Sequence, residues 1–177
     1  MVIGKMDLNS MKNFIISVFF LTSFSASSQE CSYFYLIRHA EKLRIDKSER
    51  NPKLNEKGIL RAEKWKEVLK NINLDKIYST DYYRTIETAN PTSKSQNIDI
   101  TIYSPSNIDY KNFKEINKGK KVLIVGHSNT IPNFVNGLIE KNFYDQIDDL
   151  NNSNLYLVNI CDNNAVSYTH LTLPTIV

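Results

Sequence analysis

The chain is poor in the residues from which metal centres are built. Its 177 residues include three histidines and two cysteines. Cys31 and Cys161 show none of the spacing of a metal-binding pair. No Cys/His cluster is at hand for a catalytic zinc ion, and no acidic cluster has the ligand spacing of a hard-cation site. Charge of one sign is also scarce. The 22 Lys and Arg against 19 Asp and Glu leave a net charge of +3, too little to argue for nucleic acid or an anionic membrane. Repeats and low-complexity linkers are missing. The apolar stretch near the N-terminus, residues 14–24, is too short to span a bilayer comfortably. What remains is ordinary globular composition, 41% hydrophobic and 23% charged, at a length that suggests one domain with a real core.

Residues 1–28 read as an export signal outside that domain. Met11-Lys12 opens a short basic region, residues 14–24 supply the apolar centre, and Ala26-Ser27-Ser28 places small residues before Gln29. Residues 1–10 lie upstream of Met11, the better initiator. An uncleaved anchor is the alternative. Export places the mature protein in the periplasm or outside the cell, with no stable membrane insertion after cleavage. A Cys31–Cys161 bridge is permitted there, and two free thiols remain equally open. The folded domain is expected over residues 29–165. Residues 166–177 resemble translated adapter sequence and are expected to pack poorly, with an edge strand as the alternative because Thr and Leu alternate there. His170 is set aside as a site residue for that reason.

Within the domain, strands and helices alternate. Residues 33–37 are an apolar run too short for a helix and read as a buried strand. Residues 43–53 form a charged loop. Asn55 is a fair N-cap with Glu56 in the first turn. Ala62, Trp65, Leu69 and Ile72 then recur at helical spacing to about residue 70, with Trp65 read as core. A short strand at 75–79 precedes a helix from Asp81 that should end at Asn90-Pro91, because a residue before proline resists the α region. A third strand at 98–103, a polar helix at 107–117 and a buried strand at 121–125 follow. A helix at 129–140 carries Pro132 in its first turn, and a further strand lies at 154–160. This alternation predicts an α/β fold: one doubly wound, mostly parallel sheet flanked by helices.

Three motifs fall where a strand passes into a loop or helix: Arg38-His39-Ala40-Glu41, Ser79-Thr80-Asp81-Tyr82-Tyr83-Arg84-Thr85, and Gly126-His127-Ser128-Asn129-Thr130. Neighbouring strand ends of an open α/β sheet converge on one crevice. Two arginines and two histidines with few local acids suit a phosphoryl dianion, whose oxygens match the guanidinium fork. Arg38, Arg84 and a protonated His127 would stabilise the equatorial oxygens. Nearby arginines would keep His39 neutral. One ring nitrogen would attack while the other donates to a backbone carbonyl, and water would cleave the resulting phosphohistidine. No metal and no cofactor is needed.

These motifs resemble the histidine phosphatase superfamily, the phosphoglycerate mutase-like fold, over roughly residues 32–161. Leu54-Asn55-Glu56-Lys57-Gly58 with Arg61-Ala62, Ile77-Tyr78-Ser79 with Arg84-Thr85 and Thr88-Ala89, and residues 122–127 carry the likeness. The resemblance implies His39 as nucleophile, with Arg38, Arg84 and His127 as the phosphate pocket and Ser79 as a weaker lining residue. The family's leaving-group acid has no clear counterpart. Asp109 is the first candidate, with helix capping as its alternative role, and Glu41 is the second; Glu115 and Asp81 trail. The implied activity is metal-independent phosphomonoester hydrolysis of a small phosphorylated substrate. A phosphoglycerate-type mutase and a non-catalytic phospho-ligand binder are the alternatives.

Overall fold

The computed structural model describes residues 30–45 and 48–161, and the backbone of 164–172; the expected signal segment lies outside them. Six strands form one sheet: β1 (Cys31–Arg38), β2 (Lys76–Ser79), β3 (Ile100–Ile102), β4 (Lys121–Gly126), β5 (Asn154–Cys161) and β6 (Asn164–Thr172). Their order is β3-β2-β4-β1-β5-β6. The first four are parallel to one another, β5 is antiparallel to β1, and β6 is antiparallel to β5. Four helices intervene: α1 (Glu56–Leu69), α2 (Tyr83–Gln96), α3 (Tyr110–Ile116) and α4 (Thr130–Ile139). The doubly wound, mostly parallel sheet expected from the alternation is the observed architecture.

The apolar runs at the sheet centre are buried on both faces. On β4, Val122 and Ile124 join Phe34, Leu36, Val158 and, from the helices, Phe113, Ile131, Phe134 and Leu138. Leu123 and Val125 point the other way, onto Ile37, Ile77, Trp65, Leu69 and Ala89. Thus α3 and α4 cover one face and α1 and α2 the other. Each fully buried Val, Leu or Ile of this central strand is worth roughly 1.5–3 kcal/mol, so β4 cannot slip register without exposing one core or the other.

Local signals set the helix starts. The Asn55 side chain accepts from the Gly58 amide at 2.9 Å, satisfying an orphan donor of the first turn. Gly58 also permits a close approach, since a Cβ there would stand 2.1 Å from the Glu41 carbonyl oxygen. One helix end departs from expectation: α2 runs through Pro91 to Gln96. Packing on both sides of the proline outweighs the lost amide. Thr88, Ala89 and Thr92 are buried, and Gln96 bonds Leu74 N and Leu69 O. The α3 helix is shorter than its polar sequence suggested, starting at Tyr110.

At the far end of the sheet, Cys31 and Cys161 are register partners on β1 and β5 and form a disulfide, with Cα atoms 4.2 Å apart. The backbone of 164–172 pairs with β5 as an edge strand, where the sequence led us to expect poor packing; residues 173–177 lie outside the described residues. No helix among the described residues is long and apolar enough to cross a membrane.

Candidate active site

The sheet's topology decides which side chains meet. From β1 the chain leaves to α1 on one face, and from the adjacent β4 it leaves to α4 on the other, so a crevice opens between the two strand ends. Arg38 is the register partner of Gly126, and Ser79 that of Val125. Three sequence motifs are thereby brought together. A cavity of about 360 Å³ is lined by Arg38, His39, Lys42, Tyr82, Arg84 and His127 together with Asp149 and the turn into α4.

His39 is held on every side except one. Its amide donates to Gly126 O at 2.8 Å, extending the β1–β4 ladder by one residue. Its carbonyl accepts from Asn152 Nδ2 at 2.8 Å. The next amide, Ala40 N, donates to Thr88 Oγ1 at 2.9 Å, and that hydroxyl donates to Arg84 O. The ring Nδ1 lies 2.7 Å from Ala40 O. A carbonyl only accepts, so Nδ1 carries the proton and the neutral ring's lone pair is on Nε2. Burial is the largest cause holding His39 down at a pKa of about 3, with Arg38, His127 and Arg84 adding to it. The neutral nucleophile expected from the arginines is therefore set chiefly by desolvation.

His127 sits with its ring 5.5 Å from that of His39. Its Nε2 is 2.9 Å from Thr80 Oγ1 and its Nδ1 3.4 Å from Arg84 Nη2. Arginine only donates, so Nδ1 accepts and Nε2 bears the hydrogen. The hydroxyl order agrees: Thr85 donates to a carbonyl, Thr80 donates to Thr85, and Thr80 Oγ1 stays free to accept from His127. Burial first, then Arg84, Arg38 and Lys42, lower the His127 pKa to about 4. Burial and these three cations thus disfavour the protonated His127 expected from the sequence. A phosphoryl dianion would reverse that balance. Tyr82 closes one side, edge-on to His127 and under the Arg84 guanidinium, 4.3 Å from its carbon.

The acid candidates are placed elsewhere. Asp109 is the N-cap of α3, accepting from Asn112 N at 3.0 Å, and faces a separate cavity with Tyr103 and Ile108. Glu41 is pinned to Arg61 by contacts of 2.6 and 2.9 Å and does not line the cavity. Glu115 and Asp81 are exposed and do not line the cavity. Ser79 is buried, with its hydroxyl on Thr80 O, and its neighbour Thr80 makes the contact with His127. The loop before β5 supplies what sequence reading missed. Asp148 O and Asn151 O accept from Arg38 Nη1, Asp149 pairs with Arg38 Nη2, and Asn152 holds His39. Nothing in that run of Asp and Asn distinguishes it from an ordinary solvated loop. Among the described residues no three His, Cys, Asp or Glu side chains converge on a common point.

The family model of the histidine phosphatase superfamily (branch 1) matches residues 34–104, the span containing Arg38, His39, Thr80 and Arg84. Solved structures share the fold. The protein histidine phosphatase SixA complexed with tungstate is 14% identical at a TM-score of 0.63, covering 79% of this chain and 96% of that one. The mycobacterial glucosyl-3-phosphoglycerate phosphatase is 11% identical at 0.63, covering 80% and 98%. The phosphoglycerate mutase of Bacillus anthracis str. Sterne is 15% identical at 0.59, covering 83% and 94%. No curated protein matches in sequence. The fold is phosphoglycerate mutase-like, and residues 34–104 match the model of the family that the motifs resemble.

Proposed function

We propose that the protein is a metal-independent phosphomonoester hydrolase acting through a phosphohistidine on His39. One observation carries this reading. The Nδ1–H of His39 is tied to Ala40 O, which leaves the Nε2 lone pair free beside a cavity that Arg38, Arg84 and His127 also line. Nε2 attacks phosphorus and the bond to the ester oxygen breaks. Water then attacks the phosphohistidine, the P–N bond breaks, and orthophosphate leaves with His39 restored. The cations lie where charge gathers on the equatorial oxygens, and an arriving dianion offsets the arginine charges that depress His127. With the Asp109 carboxylate capping a helix, substrates whose leaving groups need little protonation are favoured.

Hydrolysis is preferred over mutase chemistry because the segment between β3 and β4 holds only the seven-residue α3, which offers no cap to retain and reorient an intermediate's partner. The Cys31–Cys161 disulfide supports an exported protein in an oxidising compartment.

The test is phosphate release from an aryl phosphate in EDTA by protein beginning at Gln29. Turnover should persist with chelator and vanish in His39→Ala, and rapid quench should trap acid-labile, base-stable phosphate. Turnover that needs a metal, or survives in His39→Ala, sinks the mechanism. Phosphate affinity without turnover would make the protein a binder, and phosphoryl transfer outrunning release would make it a mutase.

A further inference from the structure

Arg38 is 2% exposed and its guanidinium makes three hydrogen bonds within the chain. Nη1 donates to Asp148 O at 2.8 Å and to Asn151 O at 3.1 Å. Nη2 donates to Asp149 Oδ1 at 2.6 Å. Nε is buried with no partner. Nε and Nη2 point the same way from the guanidinium plane and make the fork that grips two oxygens of a phosphoryl group. Of these two, Nε is without a hydrogen-bond partner and Nη2 is bonded to Asp149.

The same carboxylate has a second partner. Its Oδ2 lies 2.7 Å from Arg44 Nη2, and Arg44 also donates to the Asp149 carbonyl at 3.3 Å. Arg44 and Asp149 are both more than half exposed, at 51% and 59%, so the pair can move without disturbing the core. The carboxylate bridges a buried arginine that faces the reaction and an exposed one that does not. The hydrogen bond to Arg38, then that to Arg44, keeps its pKa below the usual carboxylate range, which suits an ion-pair partner and not a proton donor.

We propose that Asp149 is a displaceable competitor for the phosphoryl site: it holds Arg38 when the cleft is empty and retreats to Arg44 alone when a phosphoryl oxygen takes Nη2. This rests on the phosphoryl-pocket reading above, though not on turnover. Two consequences follow from the geometry. Asp149 weakens the hold on any phosphoryl oxyanion, the inorganic phosphate product included. Arg44 strengthens that hold without touching the ligand, because it gives the displaced carboxylate a partner.

The experiment is calorimetric titration of the intact domain with inorganic phosphate and with tungstate, on wild type, Asp149→Asn, Asp149→Ala, Arg44→Gln and the Asp149→Asn/Arg44→Gln double variant. Both Asp149 variants should bind about two- to fivefold more tightly, the scale of one charge pair. Arg44→Gln should bind several-fold more weakly, and that loss should disappear in the double variant. KM for an aryl phosphate should move in the same directions. Unchanged or weaker binding in the Asp149 variants overturns the proposal, as does an Arg44→Gln loss that persists in the double variant. A selective loss of kcat on poor leaving groups in Asp149→Asn also overturns it, because Asp149 would then be the proton donor. If neither wild type nor any variant binds either oxyanion, the phosphoryl pocket itself is wrong and the competitor fails with it.

Discussion

Two histidines kept neutral inside a cationic cleft tie this protein's stability to pH in a direction that can be worked out. His39 is lowered to about 3 and His127 to about 4, whereas both take about 6.5 in the unfolded chain. Below that value the unfolded chain binds two protons that the native cleft refuses. Stability from these groups is therefore complete above about pH 6.5 and is lost as the pH falls through about 4 for His127 and about 3 for His39. Each such proton is worth about 1.4 kcal/mol per pH unit. The carboxylates also titrate at low pH, and comparison with His39→Gln removes them because they are common to both proteins. Between about pH 6 and about pH 4.5 the wild type should lose about 2 kcal/mol more than His39→Gln. Urea unfolding in buffer free of phosphate and sulfate measures this. Equal losses in the two proteins, within about 0.5 kcal/mol, would refute a neutral, desolvated His39 and with it the assignment of the Nε2 lone pair.

Three further outcomes are expected. Asn152→Ala removes the 2.8 Å bond to His39 O and strands a buried carbonyl; it should cost about 1–3 kcal/mol of stability and lower kcat on the order of tenfold with little change in KM, read by steady-state kinetics beside thermal unfolding. The disulfide closes a loop of sequence separation 130, for which chain entropy gives about 5 kcal/mol; denaturant unfolding with and without reductant should show most of it, and a loss below about 1 kcal/mol would contradict that account. Asp109→Ala should cost about 1 kcal/mol as a lost helix cap and leave the rate on a poor leaving group unchanged, whereas a selective drop in that rate would return Asp109 to the chemistry.

Much of the site was legible because strand ends are legible. Apolar runs that stop at Arg38-His39 and at Gly126-His127, with a strand followed by Arg84, name three positions that any open parallel sheet carries to one edge. The same reading failed for the acids. Asp109 follows the third strand and Glu41 stands two residues beyond His39, yet one serves its own helix and the other is held by Arg61. The α2 helix continued past Pro91 for a related reason: a local preference worth a few kcal/mol yields to a buried face and to Gln96 reaching two backbone groups of another segment.

By itself, then, the sequence determined the alternation of elements, the cationic character of the cleft and the place of His39 in it, since each follows from periodicity or from a motif contained within a few residues. Only the tertiary structure decided that Thr80 rather than Ser79 meets His127, that Asn152 holds the His39 backbone, that Cys31 faces Cys161, and that Asp149 bonds Arg38. Those contacts join residues dozens to more than a hundred positions apart. No local pattern encodes them, because what fixes them is the register of β1 against β4 and β5, and that register is set by packing two hydrophobic cores at once.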